Sequence, residues 1–183
     1  MEKLVKLSGD MAKLWANYGT AYLNGIRSTL ILATVATVIG CVIGLACGIL
    51  NTIPYSRNDS ALKRFVLKLI RVIVRAYVEI FRGTPMVLQA VFIYYGLPYF
   101  TNNQMQFSNI WVAAILIVSI NTGAYMAEIV RGGIISVDKG QTEGAAAIGL
   151  THFKTMFRVV LPQALRNILP SVSNEFVINI KDT

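Results

Sequence analysis

The side chains that could do covalent or metal chemistry in this sequence are few and stand apart. His152 is the only histidine, and no nucleophile or metal-binding partner accompanies it. It reads as a solvated contact residue. Cys41 and Cys47 lie within one apolar run at a separation that a helix turns to different faces, so they read as buried thiols. No Gly-Lys pair occurs, which leaves no phosphate-cradling loop and no means for the chain to drive itself with ATP. No cluster of His, Cys and carboxylate offers metal or covalent chemistry. The chain is therefore not read as an enzyme, and no cofactor is expected on it. What remains is charge and hydrogen bonding on helix faces. Arg64, Lys68, Arg71, Arg75, Glu79 and Arg82 recur every three or four residues and project from one face. Asn121, Tyr125 and Glu128 share a second face by the same spacing.

The most specific stretch is residues 140–162, GQTEGAAAIGLTHFKTMFRVVLP. Glu143 opens a run of very small side chains, Gly144 and Ala145 to Ala147, which predicts a short helix that a partner can approach closely. Gly149 suits the left-handed position just past a helix end, because it has no Cβ to clash. Thr151 can then cap the next helix through its hydroxyl. Helix, sharp turn and second helix make a docking elbow.

Composition sets the medium. The 183 residues are 55% hydrophobic and 14% charged, with mean hydropathy +0.57, which indicates one membrane-embedded all-α unit. The net charge of +8 sits on residues flanking apolar runs. That favours a membrane's cytoplasmic face over nucleic acid. No charge occurs between Arg27 and Arg57, more than the ~20 residues a span needs. Within this run Ala36, Gly40, Gly44 and Gly48 fall four apart, a stripe that lets helices pack backbone to backbone. Packing within its own bundle is favoured over a partner subunit. Residues 51–60, with Pro54, Arg57, Asn58 and Asp59, read as a polar turn.

The charged stripe over residues 61–82 has two readings. Residues 64–71 suit a helix lying in the cytoplasmic interface, while the end near Arg82 suits entry into the bundle. Arg75 and Arg82 can flank Glu79 at helical spacing. Pro85, after Thr84, should break the helix and free backbone groups. Irregular backbone at membrane depth belongs inside protein or beside a water-filled cavity, which places Arg82, Thr84 and Pro85 next to a pathway. Gln89, just beyond, is expected on the same path. A polar hairpin at 101–109 separates apolar segments 84–100 and 110–127. The face carrying Asn121, Tyr125 and Glu128 either fixes helix registry as a buried polar network or lines a substrate path. Residues 159–180 are weakly apolar and carry Pro162 and Pro170, which are expected to bend them. A helix so polar is expected at the bundle centre.

Read together, Glu143, Gly144, Ala145, Gly149, Val159, Leu161 and Pro162 resemble the coupling motif of ATP-binding-cassette (ABC) importer permeases, E-A-A, three residues, G, nine residues, I-x-L-P. Gly144 replaces the usual Ala and Val159 the usual Ile. VEIFRGTPMVLQAVFIYYGLP (78–98) and GAYMAEIVRGGI (123–134) resemble the subfamily for polar amino acids. The resemblance implies a multi-pass transmembrane bundle of about four spans, with the family's usual fifth absent and a cytoplasmic coupling helix. Residues 1–20 are expected as an extracytoplasmic segment and 21–183 as the transmembrane domain, with the coupling loop at 138–158. It also implies alternating access in a bacterial cytoplasmic membrane, a second permease subunit, identical or homologous, and two cassette ATPases docked on the elbow. ATP and Mg would sit on those ATPases, and an extracytoplasmic binding protein would deliver the amino acid. A channel-like or regulatory subunit without an ATPase is the alternative, and it leaves the elbow without a partner. The charges on the 51–75 side and their absence from the 101–109 hairpin put the elbow in the cytoplasm and the N-terminus outside.

Overall fold

The computed structural model describes residues 2–53 and 60–182, and every regular element among them is helical. Pro54, Arg57, Asn58 and Asp59 of the expected polar turn lie outside the described residues. The first helix, α1 (Glu2–Thr52), is a single unbroken element of 51 residues. Residues 2–20, part of the segment expected outside the membrane, are helical and run straight into the span.

The central seam joins α1 to α5 (Ile110–Ile135). A Cβ added to Gly40, Gly44 or Gly48 would come within 2.6, 2.2 and 2.6 Å of Thr122, Met126 and Val130 respectively. Both series of numbers rise together, so the two helices run parallel and in step. The small-residue stripe thus packs within its own chain, as its spacing suggested. Ala36, on the same stripe, is fully buried.

From the elbow end the chain returns through α2 (Ala61–Gly83), which Ser60 opens by accepting from the Lys63 amide at 3.3 Å. Arg71 Nη2 donates to the Ile53 carbonyl and ties α2 to the end of α1, and Tyr77 Oη donates to the Ile120 carbonyl on α5 at 2.5 Å. The helix has three sides. Leu67 and Val74 are buried, the charged stripe lies beside them, and Phe65, Leu69 and Ile73 are bare on the third. Glu79 makes no ion pair among the described residues, although Arg75 and Arg82 are its helical neighbours. Their guanidinium groups face the open cavity described below, where water can solvate them.

Thr84 and Pro85 break the helix in extended backbone, as Pro85 requires. The chain resumes as α3 (Met86–Val91), a π-helical turn (Phe92–Gly96) and α4 (Leu97–Phe100). The hairpin at 101–109 turns on Asn102 and Asn103, both with positive φ, and Asn109 caps α5 by accepting from the Trp111 amide at 2.8 Å. Beyond the elbow, α8 (Leu161–Asp182) runs back along α5. A Cβ on Gly133 would meet Ile168 Cγ2 at 2.2 Å, and Asp182 reaches the far end beside Leu32 and Ala113. The described residues therefore make four passes: α1, the broken α2 to α4, α5 and α8. Among the described residues, only Asp10–Thr52 and Ile110–Ile135 are both long and apolar enough to cross a membrane by themselves.

The apolar core sits at the elbow end, where Val130, Ile134, Met156, Val160 and Ile168 pack together with Leu45 and Ile49 of α1 against them. Two expectations need correction. The helix α8 is not enclosed at the bundle centre: only Ala164, Ile168, Glu175 and Asn179 are buried along it, and Leu169 and Val177 on other sides are exposed. Its small and polar stripe packs on α5 and α1, and nothing described covers the rest. Pro170 lies inside the continuous helix. Cys41 and Cys47 are free but half-buried rather than buried, because the close-packed glycines occupy the seam and turn the thiols to its edges.

Candidate functional site

The elbow forms from local rules. Asp138 caps α6 (Lys139–Ala147) by accepting from the Gly140 amide at 2.7 Å. At the other end the Leu150 amide donates to the Ala145 carbonyl at 3.0 Å and the Gly149 amide to the Ala146 carbonyl at 2.9 Å. With Gly149 at φ +80°, this is a Schellman closure, which satisfies carbonyls the helix end would otherwise leave open. Thr151 then caps α7 (His152–Thr155), its hydroxyl accepting from the Lys154 amide at 3.4 Å. A π-helical turn (Met156–Val160) continues into α8, so Leu161 and Pro162 begin that helix. Pro162 follows directly on that π-helical turn, a local widening of the kind that accommodates a missing N–H inside a helix.

Ala145 is the buried contact of α6, while Glu143 and Gly144 face outward. A Cβ on Gly144 would meet nothing within 4 Å. Ile148 is 78% exposed and Phe153 70% exposed, with the Phe153 ring centre 4.5 Å from that of Phe157 and the two rings tilted by 40°. Gln163 Nε2 donates to Gln141 Oε1 at 3.4 Å, which braces α6 against α8, and Asn167 Nδ2 donates to Ser136 Oγ at 3.1 Å, which ties α8 to the end of α5. The result is a stiff knuckle whose outer surface is small and apolar at Gly144, Ile148 and Phe153, with Glu143 and Lys154 exposed around them.

Above the elbow lies a cavity of about 850 Å³ between α2, α5 and the elbow helices. Arg71, Arg75, Arg82, Arg131 and Lys139 line it, against Glu79 and Glu128. The upper half of the charged stripe thus faces this vestibule. Arg131 clasps Glu128 with two donors, Nε to Oε2 at 3.0 Å and Nη2 to Oε1. The Arg82 guanidinium lies 5.4 Å from the Tyr125 ring centre. His152 also lines the cavity.

Thr84, Pro85, Gln89 and Asn121 gather elsewhere, at the helix break. Gln89 Nε2 lies 2.8 Å from the Phe81 carbonyl and 2.9 Å from the Thr84 carbonyl, two groups that Pro85 leaves free. Thr84 Oγ1 donates to the Ile80 carbonyl at 2.8 Å. Asn121 Nδ2 donates to Gln89 Oε1 at 3.0 Å and reaches the Phe81 carbonyl at 3.2 Å. Gln89 and Asn121 are both buried. The face that Asn121 shares with Tyr125 and Glu128 therefore has two jobs. Asn121 fixes the register of α5 against the break, and Glu128 opens on the vestibule.

Two features escape spacing arguments. Asn179 on α8 links three passes: its Nδ2 donates to Thr37 Oγ1 at 2.8 Å and its Oδ1 accepts from Thr122 Oγ1 at 3.1 Å. None stands out in its own segment, since Thr34 lies near Thr37, Asn121 beside Thr122 and Glu175 one turn before Asn179, and no local period pairs residues so far apart. Glu175 is buried at 6% exposure and makes no hydrogen bond or ion pair among the described residues. Its signal was its residue type, a carboxylate on a helix that the apolar pattern places among membrane passes.

Known proteins agree with this architecture. Residues 60–183 match the family described as binding-protein-dependent transport system inner membrane component. The glutamine transport system permease protein GlnP of Escherichia coli (strain K12) is 37% identical over 166 residues, covering 88% of this chain and 67% of that protein. The arginine transport system permease protein ArtQ of Bacillus subtilis (strain 168) is 35% identical over 161 residues, with the same coverage of each chain. Among solved structures, an amino acid ABC transporter described as carrying histidines is 35% identical with a TM-score of 0.75, over 91% of this chain and 71% of that one. The MetNI methionine ABC transporter, at 22% identity and a TM-score of 0.69 over 90% of this chain and 72% of that one, shows the same fold. The chain belongs to the binding-protein-dependent transport system inner membrane component family and is a membrane permease subunit.

Proposed function

We infer that this permease imports a polar amino acid through alternating access, driven by separate cassette ATPases that dock on the elbow. The carrying observation is the knuckle itself. Its closure at Gly149, its cap at Thr151 and its brace to α8 make it stiff, while Gly144, Ile148 and Phe153 leave its outer surface open. A stiff, exposed knuckle continuous with α8 is suited to transmit a push from an ATPase into a transmembrane helix. The relatives named for glutamine and arginine transport support the substrate class. A second permease subunit would complete the pathway, and a binding protein would deliver the substrate from the side opposite the elbow. On this reading the elbow is cytoplasmic, the N-terminus is outside, and ATP and Mg stay on the partner ATPase. Arg82, Tyr125 and Glu128 line the inner part of the path. Buried Glu175 stands at the same depth of the bundle and suits contact with a positive group of the substrate.

The test is uptake and ATP hydrolysis in proteoliposomes holding the permease, its ATPase and its binding protein. Glu143→Lys should leave the chain in the membrane and abolish substrate-stimulated ATP hydrolysis together with uptake. Coupled uptake at the normal rate in this variant would sink the elbow as the ATPase seat.

A further inference from the structure

The register of the seam shows that α1 is too long for the bundle. Gly40 meets Thr122 and Gly48 meets Val130, so the first turn of α5 lies level with Ser28. Burial against the rest of the bundle begins there: Ser28 and Thr29 are half-buried, residues 20–27 are all exposed, and Gly19, the one buried position before them among the described side chains, lies under the ring of Trp15 on its own helix. Residues 28–52 already rise about 37 Å at ~1.5 Å per residue, enough for a hydrocarbon core of about 30 Å. Residues 10–26 add roughly 25 Å beyond it. A straight continuation would carry them through the headgroup layer and into water.

Their side chains do not suit water. Met11, Leu14, Trp15, Tyr18, Tyr22 and Ile26 follow three- and four-residue steps along one face, and each is more than half exposed. Asp10, Lys13, Asn17, Asn24 and Arg27 form the opposite face. No other part of the described chain covers the apolar stripe. Trp and Tyr combine an apolar ring with a polar tip, which is the chemistry of the membrane–water boundary. Lys13 and Arg27 on the far face suit the phosphates of headgroups. Asn24 and Gly25 are weak helix formers at the point where the segment leaves the bundle, and a Cβ on Gly25 meets nothing within 4 Å.

We propose that residues 10–24 form an interfacial anchor that folds down at Asn24 and Gly25 to lie along the bilayer surface opposite the elbow, with Trp15, Tyr18 and Tyr22 in the headgroup layer. The partner is the lipid surface itself. The anchor would hold the end of α1 at fixed depth while the elbow end is pushed.

Trp15 and Trp111 are the only tryptophans, so fluorescence reads the segment directly. The full chain would be reconstituted in vesicles of phosphatidylcholine and phosphatidylglycerol, with bromine at shallow or deep acyl positions. Trp15 is isolated as the sole emitter in Trp111→Phe, and independently as the difference between wild type and Trp15→Phe. The anchor requires blue-shifted Trp15 emission that loses most of its intensity to shallow bromines and less to deep ones. Water-like emission quenched by iodide but not by brominated lipid would overturn it. Blue-shifted emission indifferent to brominated lipid would also overturn it, because Trp15 would then be buried against protein.

Discussion

Two regions of this molecule are built from the same small residues to opposite ends. In the seam between α1 and α5, the place of every missing Cβ is already taken: Gly44 has Met126 at 2.2 Å from where one would stand. On the elbow, the corresponding place at Gly144 is empty to 4 Å. Smallness in the seam serves contact already made within the chain. On the elbow it leaves room for contact with something else. Composition cannot separate the two cases, because Gly and Ala at helical spacing look alike in both. The surroundings separate them: the seam stripe runs through an uncharged segment, whereas the elbow run follows Glu143 and ends in a capped turn.

Substitution can break the contrast or sharpen it. The largest effect is expected from Gly44→Leu, which drives a side chain into Met126 where backbone atoms leave no escape; overpacking of this kind costs ~1–3 kcal/mol or more. Detergent-extracted protein should lose its monodisperse peak on size exclusion, and an unchanged peak would mean that the helices do not touch there. Gly149→Leu comes next. It forces a side chain into the left-handed backbone region at a cost of about 1–2 kcal/mol, so the chain should insert normally but lose coupling between ATP hydrolysis and uptake. Asn179→Leu removes the link among α1, α5 and α8, worth roughly 0.6–1.7 kcal/mol for hydrogen bonds between membrane helices. A small drop in thermal stability is the expected result, and no drop would place the load on the apolar contacts alone. The smallest and most discriminating change is Gly144→Ala. It should raise helix stability by ~1 kcal/mol, since Ala is the better helix former and space is free. A gain in stability with weakened ATPase binding would show that the open place is a partner's seat. A gain in both would show that the space is unused.

Much of this was legible from the residues. Gly149 could be placed past a helix end and Thr151 at a cap because both follow local stereochemistry. Pro85 announced its break for the same reason. The stripe of Ala36 to Gly48 named its own packing mode, and only its partner helix had to be seen. What stayed hidden depends on contacts between distant segments. Nothing in the spacing of Gln89 says that its amide turns back to close the break. Glu79 between two arginines looked paired, but the cavity gives those arginines solvent instead. The helix at 2–20 was hidden because a change of polarity, from the charged start to the apolar run, is not a change of backbone. The exposure of α8 was missed for a related reason: polarity indicates avoidance of lipid, and the shelter that answers it need not come from the same chain.

The closure of the break at Pro85 has a further consequence, for biogenesis. Gln89 belongs to the same pass as the carbonyls of Phe81 and Thr84 and follows them by only a few residues. The broken helix therefore carries its own repair and is complete before α5 has been synthesised. Its charged stripe still needs the rest of the bundle, but the carbonyls at the break are already met. When α5 arrives, Asn121 has only to add its amide to a joint that is already closed. A discontinuous helix that needed a later segment to satisfy it would be a hazard during insertion, and Gln89 removes that dependence on order.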